Sequence, residues 1–354
     1  MLAGAIAGLL VSCRSVDPNG DPSALGDSRS HVVRLLELVE SPEFEGRETG
    51  LRGGVRTASW VAGLMGGAHL QPFMEGEYRW MYPLQKHVLG EVDVRLVSPD
   101  TIRFVHGIAY LVDRHSAEGT MTQRLAGGPY VRSERLVLDS TAIRPGPYTG
   151  SGSAMRMMWL PSALRRLPLG SSTASVRIQM ELEERVLSGF VVGGFLPGTH
   201  PLKRDSLRVV IARMDGQGLQ GASAWTDGSD SGVGLVSMLA AMEEASRRQD
   251  MKRSYRGSTL FLAVSGIEEG CQGAKWVQEH LPWDRNHIQA VLLVGMGTSC
   301  FGDWNPEVVG SDADLFAPLL IRRNELLSDA RLETALDAAM NWKDTVLTWL
   351  EDTP

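Results

Sequence analysis

Three continuous apolar runs constrain this chain more than anything else in it: SLRVVIA at Ser206 to Ala212, STLFLAV at Ser258 to Val264 and AVLLV at Ala290 to Val294. Each has the length of a strand and lacks polar alternation, so each needs cover on both faces. Helical segments lie between them, one from Gly232 to Arg248 behind Ser231, with Val236, Leu239 and Ala240, and one from Gln272 to His280. Alternating strand and helix predicts an α/β fold whose mostly parallel central sheet is flanked by helices.

The remaining segments arrange themselves around that layer. HVVRLLELVE from His31 places Val32, Leu35, Leu36 and Val39 on one helical face. A Gly- and charge-rich loop from Ser41 to Gly54 follows. A second helix, VRTASWVAGLMGGA, is expected to pack through Val55, Trp60, Leu64 and nearby Ala residues. Residues 86–185 instead contain short β-rich runs separated by turn residues, which predicts an inserted β-rich module. RLETALDAAMNWKDTVLTWLED closes the chain as an amphipathic helix with Leu332, Leu336, Ala339, Val346, Leu347 and Leu350 on one stripe. The expected organisation is therefore a leader and tether over 1–30, a discontinuous α/β domain over 31–85 and 186–354, and the module over 86–185.

Composition narrows the partners. The net charge is −7 and no basic run stands out, so no nucleic acid is expected to bind. Three cysteines, Cys13, Cys271 and Cys300, allow at most one bridge and no zinc ribbon. The apolar stretch Leu2 to Val11 is shorter than the ~18 to 20 residues that cross a bilayer. It ends in Leu10-Val11-Ser12-Cys13, which resembles a bacterial lipobox, although no Lys or Arg precedes it. Cys13 is the expected lipidation site, and SVDPNGDPSALGDS behind it suits a tether. The protein is thus expected to be exported and held at a membrane by that anchor alone, on the periplasmic or cell-surface side.

Four blocks occur together in one order: SPEFEGRETGLRGG at 41–54, GFVVGGFLPGTHPLKRDSL at 189–207, WTDGSDSGV at 225–233 and LAVSGIEEGCQGA at 262–274. In type and spacing they resemble the dizinc aminopeptidases of metallopeptidase family 28, a family that also holds glutamate carboxypeptidase and the non-catalytic transferrin receptor. The resemblance implies a zinc-aminopeptidase-like fold with a protease-associated insert, peptide-bond hydrolysis, and two zinc ions sharing a bridging water. It places the general base on Glu268, a metal ligand on Glu269, the bridging Asp on or beside Asp227, and a supporting carboxylate on Asp215.

The ligand set is broken, however. The family's first His falls on Arg213, and a guanidinium has no lone pair to give a metal. A strict count from Ser231 puts the bridging position on Gly228, one residue past Asp227, and the third-strand Asp falls on Gly295. No His follows His287, so the α/β domain is expected to be short at its C-terminal side. Asp215, Asp227, Glu268 and Glu269 would repel one another without a cation. Arg213 is expected to supply it, in a former metal position, by pairing with Glu269 or Asp215. No cofactor is then expected, or zinc if the site is active. The function expected is that of a catalytically degenerate peptidase-like lipoprotein that binds a peptide or protein or serves as a scaffold; the alternative is an active metallo-aminopeptidase with a rearranged site.

Other motifs carry less. Gly216 to Gly221 satisfies GxGxxG after a strand, but ASAWTDGSD behind it does not open a helix, so dinucleotide binding is rejected. GxSxG does not occur. His106 and His115 read as ordinary module histidines, and Trp225 as a packing residue near the cleft.

Overall fold

The computed structural model describes residues 28–351 apart from 126–127, 140–147, 150–151, 169–172, 222, 227–230, 251–256, 297–299, 301–306, 311–320 and 323–328. Six of the seven strands on the main path of a nine-stranded sheet are β1 (Arg79–Ser98), β2 (Ser175–Leu196), β3 (Leu207–Arg213), β4 (Ser258–Val264), β5 (Ile288–Val294) and β6 (Glu307–Gly310), the seventh being Ile102–Phe104 on the outer side of β1. Their spatial order is β6-β5-β3-β4-β2-β1. The β6, β5, β3 and β4 strands run parallel, and β2 and β1 extend them antiparallel.

The apolar runs are central because both sides of each are covered. In β3, Val210 and Ala212 join a core formed with α1 (Ser28–Val39), α2 (Arg52–Gly67), α3 (Ser231–Asp250) and α5 (Asp329–Glu351). Val209 and Ile211 point the opposite way, into a core shared with Ala274 and Val277 of α4 (Gln272–His280). Strand alternation thus feeds two apolar layers from one sequence run. All of Val32, Leu35, Leu36 and Val39 are buried, as the periodicity predicts. So are Leu336, Ala339, Val346, Leu347 and Leu350 of the last helix, while Leu332 lies outside the residues whose burial is described.

The second helix packs on the core through Trp60, Leu64 and its Ala residues as expected, but not through Val55. Val55 is 37% exposed and Trp60 and Leu64 are half-buried, whereas Gly53, Gly54, Thr57, Ala58, Val61 and Met65 are buried. The preceding loop approaches the first turn closely: a Cβ on Gly53 would lie 2.0 Å from the Phe44 carbonyl oxygen. Glycine at 53 and 54 lets the 41–48 loop lie on the first turn of the helix, and Phe44 packs on Trp60 beyond it.

The β-rich segment stands on the same sheet. β1 and β2 run out of the α/β layer as a long pair, and Lys86 and Arg185 are direct cross-strand partners. Beyond them Val94, Leu96, Val176, Ile178 and Met180 share a second core with Tyr110, Leu138, Met157 and Trp159. Strands 110–112, 155–159, 136–139 and 131–132 form a separate four-stranded sheet there. The module is therefore cantilevered on two core strands rather than linked by a tether.

Candidate functional site

The C-terminal ends of the parallel strands converge with the 41–51 loop, the position where open α/β sheets hold ligands. Arg213 ends β3 and Asp215 follows it; Glu268 and Glu269 sit on the turn behind β4; Gly295 follows β5 with φ +63°. The loop is pinned to this edge by backbone bonds from Gly216 N to the Arg47 carbonyl at 3.1 Å and from Gly218 N to the Gly46 carbonyl at 3.0 Å. Those contacts bring Glu48 and Thr49 into the cleft.

Two cation clusters result. In the deeper one, Lys86 Nζ donates to Glu48 Oε1 at 2.7 Å, to Glu269 Oε1 at 3.0 Å and to the Thr49 carbonyl at 3.0 Å. An ammonium has three protons, and all are used. In the other, Arg213 gives Nε to Asp215 Oδ1 at 3.0 Å and Nη1 to Glu268 Oε1 at 3.0 Å. Arg114, from the module, reaches across to Glu268 Oε2 at 2.8 Å. Asp215 Oδ2 also accepts from Thr49 Oγ1 at 3.2 Å and from the Ile267 N–H at 3.0 Å, and it is almost wholly buried.

Proton affinities follow from these surroundings. Burial pushes the Glu48 carboxyl up, and Lys86 only partly opposes it. Burial also works against the Lys86 charge, but Glu48 and Glu269 outweigh it and hold the ammonium above its ordinary range. Glu269 is pushed up to about 7, first by burial, with Asp215 and Glu48 adding to it against Lys86. For Glu268, burial is outweighed by Arg213 and Arg114, so its carboxyl stays below its ordinary value. The Lys86 cluster thus holds one positive charge for two carboxylates, and burial raises the proton affinity of both Glu48 and Glu269.

The sequence expectations meet this geometry unevenly. Arg213 pairs with Asp215 as one of its two expected partners, but its second is Glu268; Glu269 goes to Lys86. Asp227, Gly228 and Cys13 lie outside the described residues, as does the Trp225 side chain. Sequence reasoning missed Lys86, Glu48, Thr49 and Arg114. A signal for Lys86 was present: in WMYPLQKHVL it takes the inward side of the alternation behind Tyr82 and Leu84, where an unpaired Lys cannot remain. Arg114 carries no such signal. His115 accepts from Arg114 Nε through its Nε2 at 3.3 Å, and its Nδ1 lies 3.1 Å from Thr149 Oγ1.

A dizinc centre does not fit these residues. Arg213 stands where the resemblance calls for an imidazole, and the Lys86 ammonium already binds Glu269, on which the resemblance places a metal ligand. Neither cation can donate a lone pair, and both would repel a dication. Among the described residues no cluster of three His, Cys, Asp or Glu side chains could hold a metal ion.

Solved structures share the fold. A peptidase M28 precursor from Shewanella amazonensis SB2B superposes with a TM-score of 0.59 at 11% identity, covering 93% of this chain and 94% of that one. BSAP, a zinc aminopeptidase from Bacillus subtilis, gives 0.54 at 11% identity, covering 91% and 96%. No protein-family model and no curated protein matches the chain. The molecule therefore has a zinc-aminopeptidase-like fold, with sequence far removed from those neighbours.

Proposed function

We propose that this protein is a catalytically degenerate member of the peptidase-fold group, with a binding or scaffolding role in place of peptide hydrolysis. The observation that carries the reading is the pair of organic cations, Lys86 and Arg213, lying among Glu48, Asp215, Glu268 and Glu269. A catalytic zinc needs about three protein ligands and an open position. Here the carboxylates are committed to ammonium and guanidinium groups that offset part of their charge without creating a Lewis acid.

We also place the protein outside the cytoplasm, anchored through Cys13. The lipobox-like LVSC supports that location, and so does the bond between Cys271 and Cys300, since disulfides persist in oxidising compartments. Among the described residues no helix is long and apolar enough to cross a membrane.

The retained Glu268-Glu269 pair favours the second reading, an active metallo-aminopeptidase completed by a rearranged site. Zinc content of the purified protein, measured beside hydrolysis of a leucine anilide, separates the two. We expect substoichiometric zinc and no turnover. Stoichiometric zinc with turnover abolished by Glu268→Gln would establish the second reading.

A further inference from the structure

The clamp around Glu268 has the form of a ligand site. Arg213 and Arg114 come from different layers, one from the end of β3 and one from the module. Each gives an Nη1 to a different oxygen of the same carboxylate, at 3.0 and 2.8 Å. Each guanidinium gives one nitrogen, and together they supply charged donors to both oxygens, which is what a bound carboxylate requires. The carboxylate they hold is the chain's own, and it is the accessible one: the Glu268 side chain is 22% exposed against 1% for Asp215.

The surroundings let Glu268 leave without dismantling the clamp. Arg213 keeps its Nε bond to Asp215, and Arg114 keeps its Nε bond to His115. The turn carrying Glu268 runs between Gly266 and Gly270, both at positive φ, and a Cβ on Gly270 would meet nothing within 4 Å. Space therefore lies on the outer side of the turn. With Glu268 withdrawn, two guanidiniums would face Asp215, and a second carboxylate would restore the balance.

We propose that the cleft between the module and the α/β layer is a receptor for a carboxylate-bearing ligand, and that Glu268 occupies the ligand's seat in this structure. The proposal rests on the reading of the cleft as a non-catalytic binding site. A peptide α-carboxylate and a small organic acid share this chemistry.

Glu268→Ala tests it, by thermal denaturation in sodium acetate and in sodium chloride at equal ionic strength. Acetate is expected to raise the Tm of the variant beyond the chloride effect, with half-saturation at least about tenfold lower than in the wild type, where Glu268 competes. Adding Arg114→Gln is expected to abolish the difference. A tripeptide free acid that binds more tightly than acetate, while its amide does not bind, identifies a peptide terminus; equal binding of acetate and tripeptide acid identifies a small acid. If Glu268→Ala does not fold, Glu268→Ser receives the same titration. Equal responses to acetate and chloride in a folded variant overturn the proposal. Zinc content is read separately, so a metal-free protein without acetate rescue loses only this inference, whereas stoichiometric zinc removes the reading beneath it.

Discussion

The Lys86 ammonium lies at 2% side-chain exposure between two carboxylates, whereas Arg114 and Arg213 share Glu268 at a mouth where Arg114 is 27% exposed. The deep cluster has fewer positive charges than carboxylates and no donor left over. The outer cluster pairs two cations with Asp215 and Glu268 and joins two structural layers. Depth sets what each can do: a fully buried ion pair is costly to break, and the partly exposed Arg114–Glu268 pair costs less to exchange. The inner cluster is therefore a lock on the fold, and the outer one is available to a ligand.

Removing Lys86 should have the largest effect. Lys86→Met leaves Glu48 and Glu269 buried without their cation and should cost about 3 to 5 kcal/mol in urea unfolding. Adding Glu48→Gln should recover part of that loss. If the single variant unfolds like the wild type, the inner cluster is no lock.

A second test uses pH. Glu269 binds its proton more tightly in the folded chain, at about 7, than at the ordinary value of 4.5. Between those values the folded state holds more protons than the unfolded state, so this group's contribution to stability falls as pH rises. The slope for one proton is at most about 1.4 kcal/mol per pH unit. Glu269→Gln should flatten the decline in Tm between pH 5 and 7, measured against wild type. Glu268 has the opposite sign, being held below its ordinary value, and its contribution is lost as pH falls through the acid range.

The smallest expected change comes from Arg114→Gln. Both partners are partly exposed, so stability should fall by about 1 kcal/mol or less. A loss comparable with that of Lys86→Met would erase the distinction between the clusters and make the module contact structural.

Much of the scaffold was legible because its signals are local. The β4 strand and the α4 helix take the residues their apolar patterns predict, since period and length are written in consecutive side chains. Of the residues expected on the α2 face only Val55 stays exposed, while the burial of Gly53 reflects a close approach of the Phe44 carbonyl that residue type alone does not show. The β-rich character of residues 86–185 is written locally, whereas the β1–β2 ladder that runs through residue 86 depends on pairing across about a hundred residues of chain.

By itself the sequence determined the covered α/β layer, the order of the peptidase-like blocks and the incapacity of Arg213 to ligate a metal. Each of these depends on residue type and near neighbours alone. The tertiary structure decided which cation meets which carboxylate. Lys86 reaches Glu269 across 183 positions, and Arg114 reaches Glu268 across 154. Charges act through space, and only folding fixes the few ångströms over which a buried pair forms.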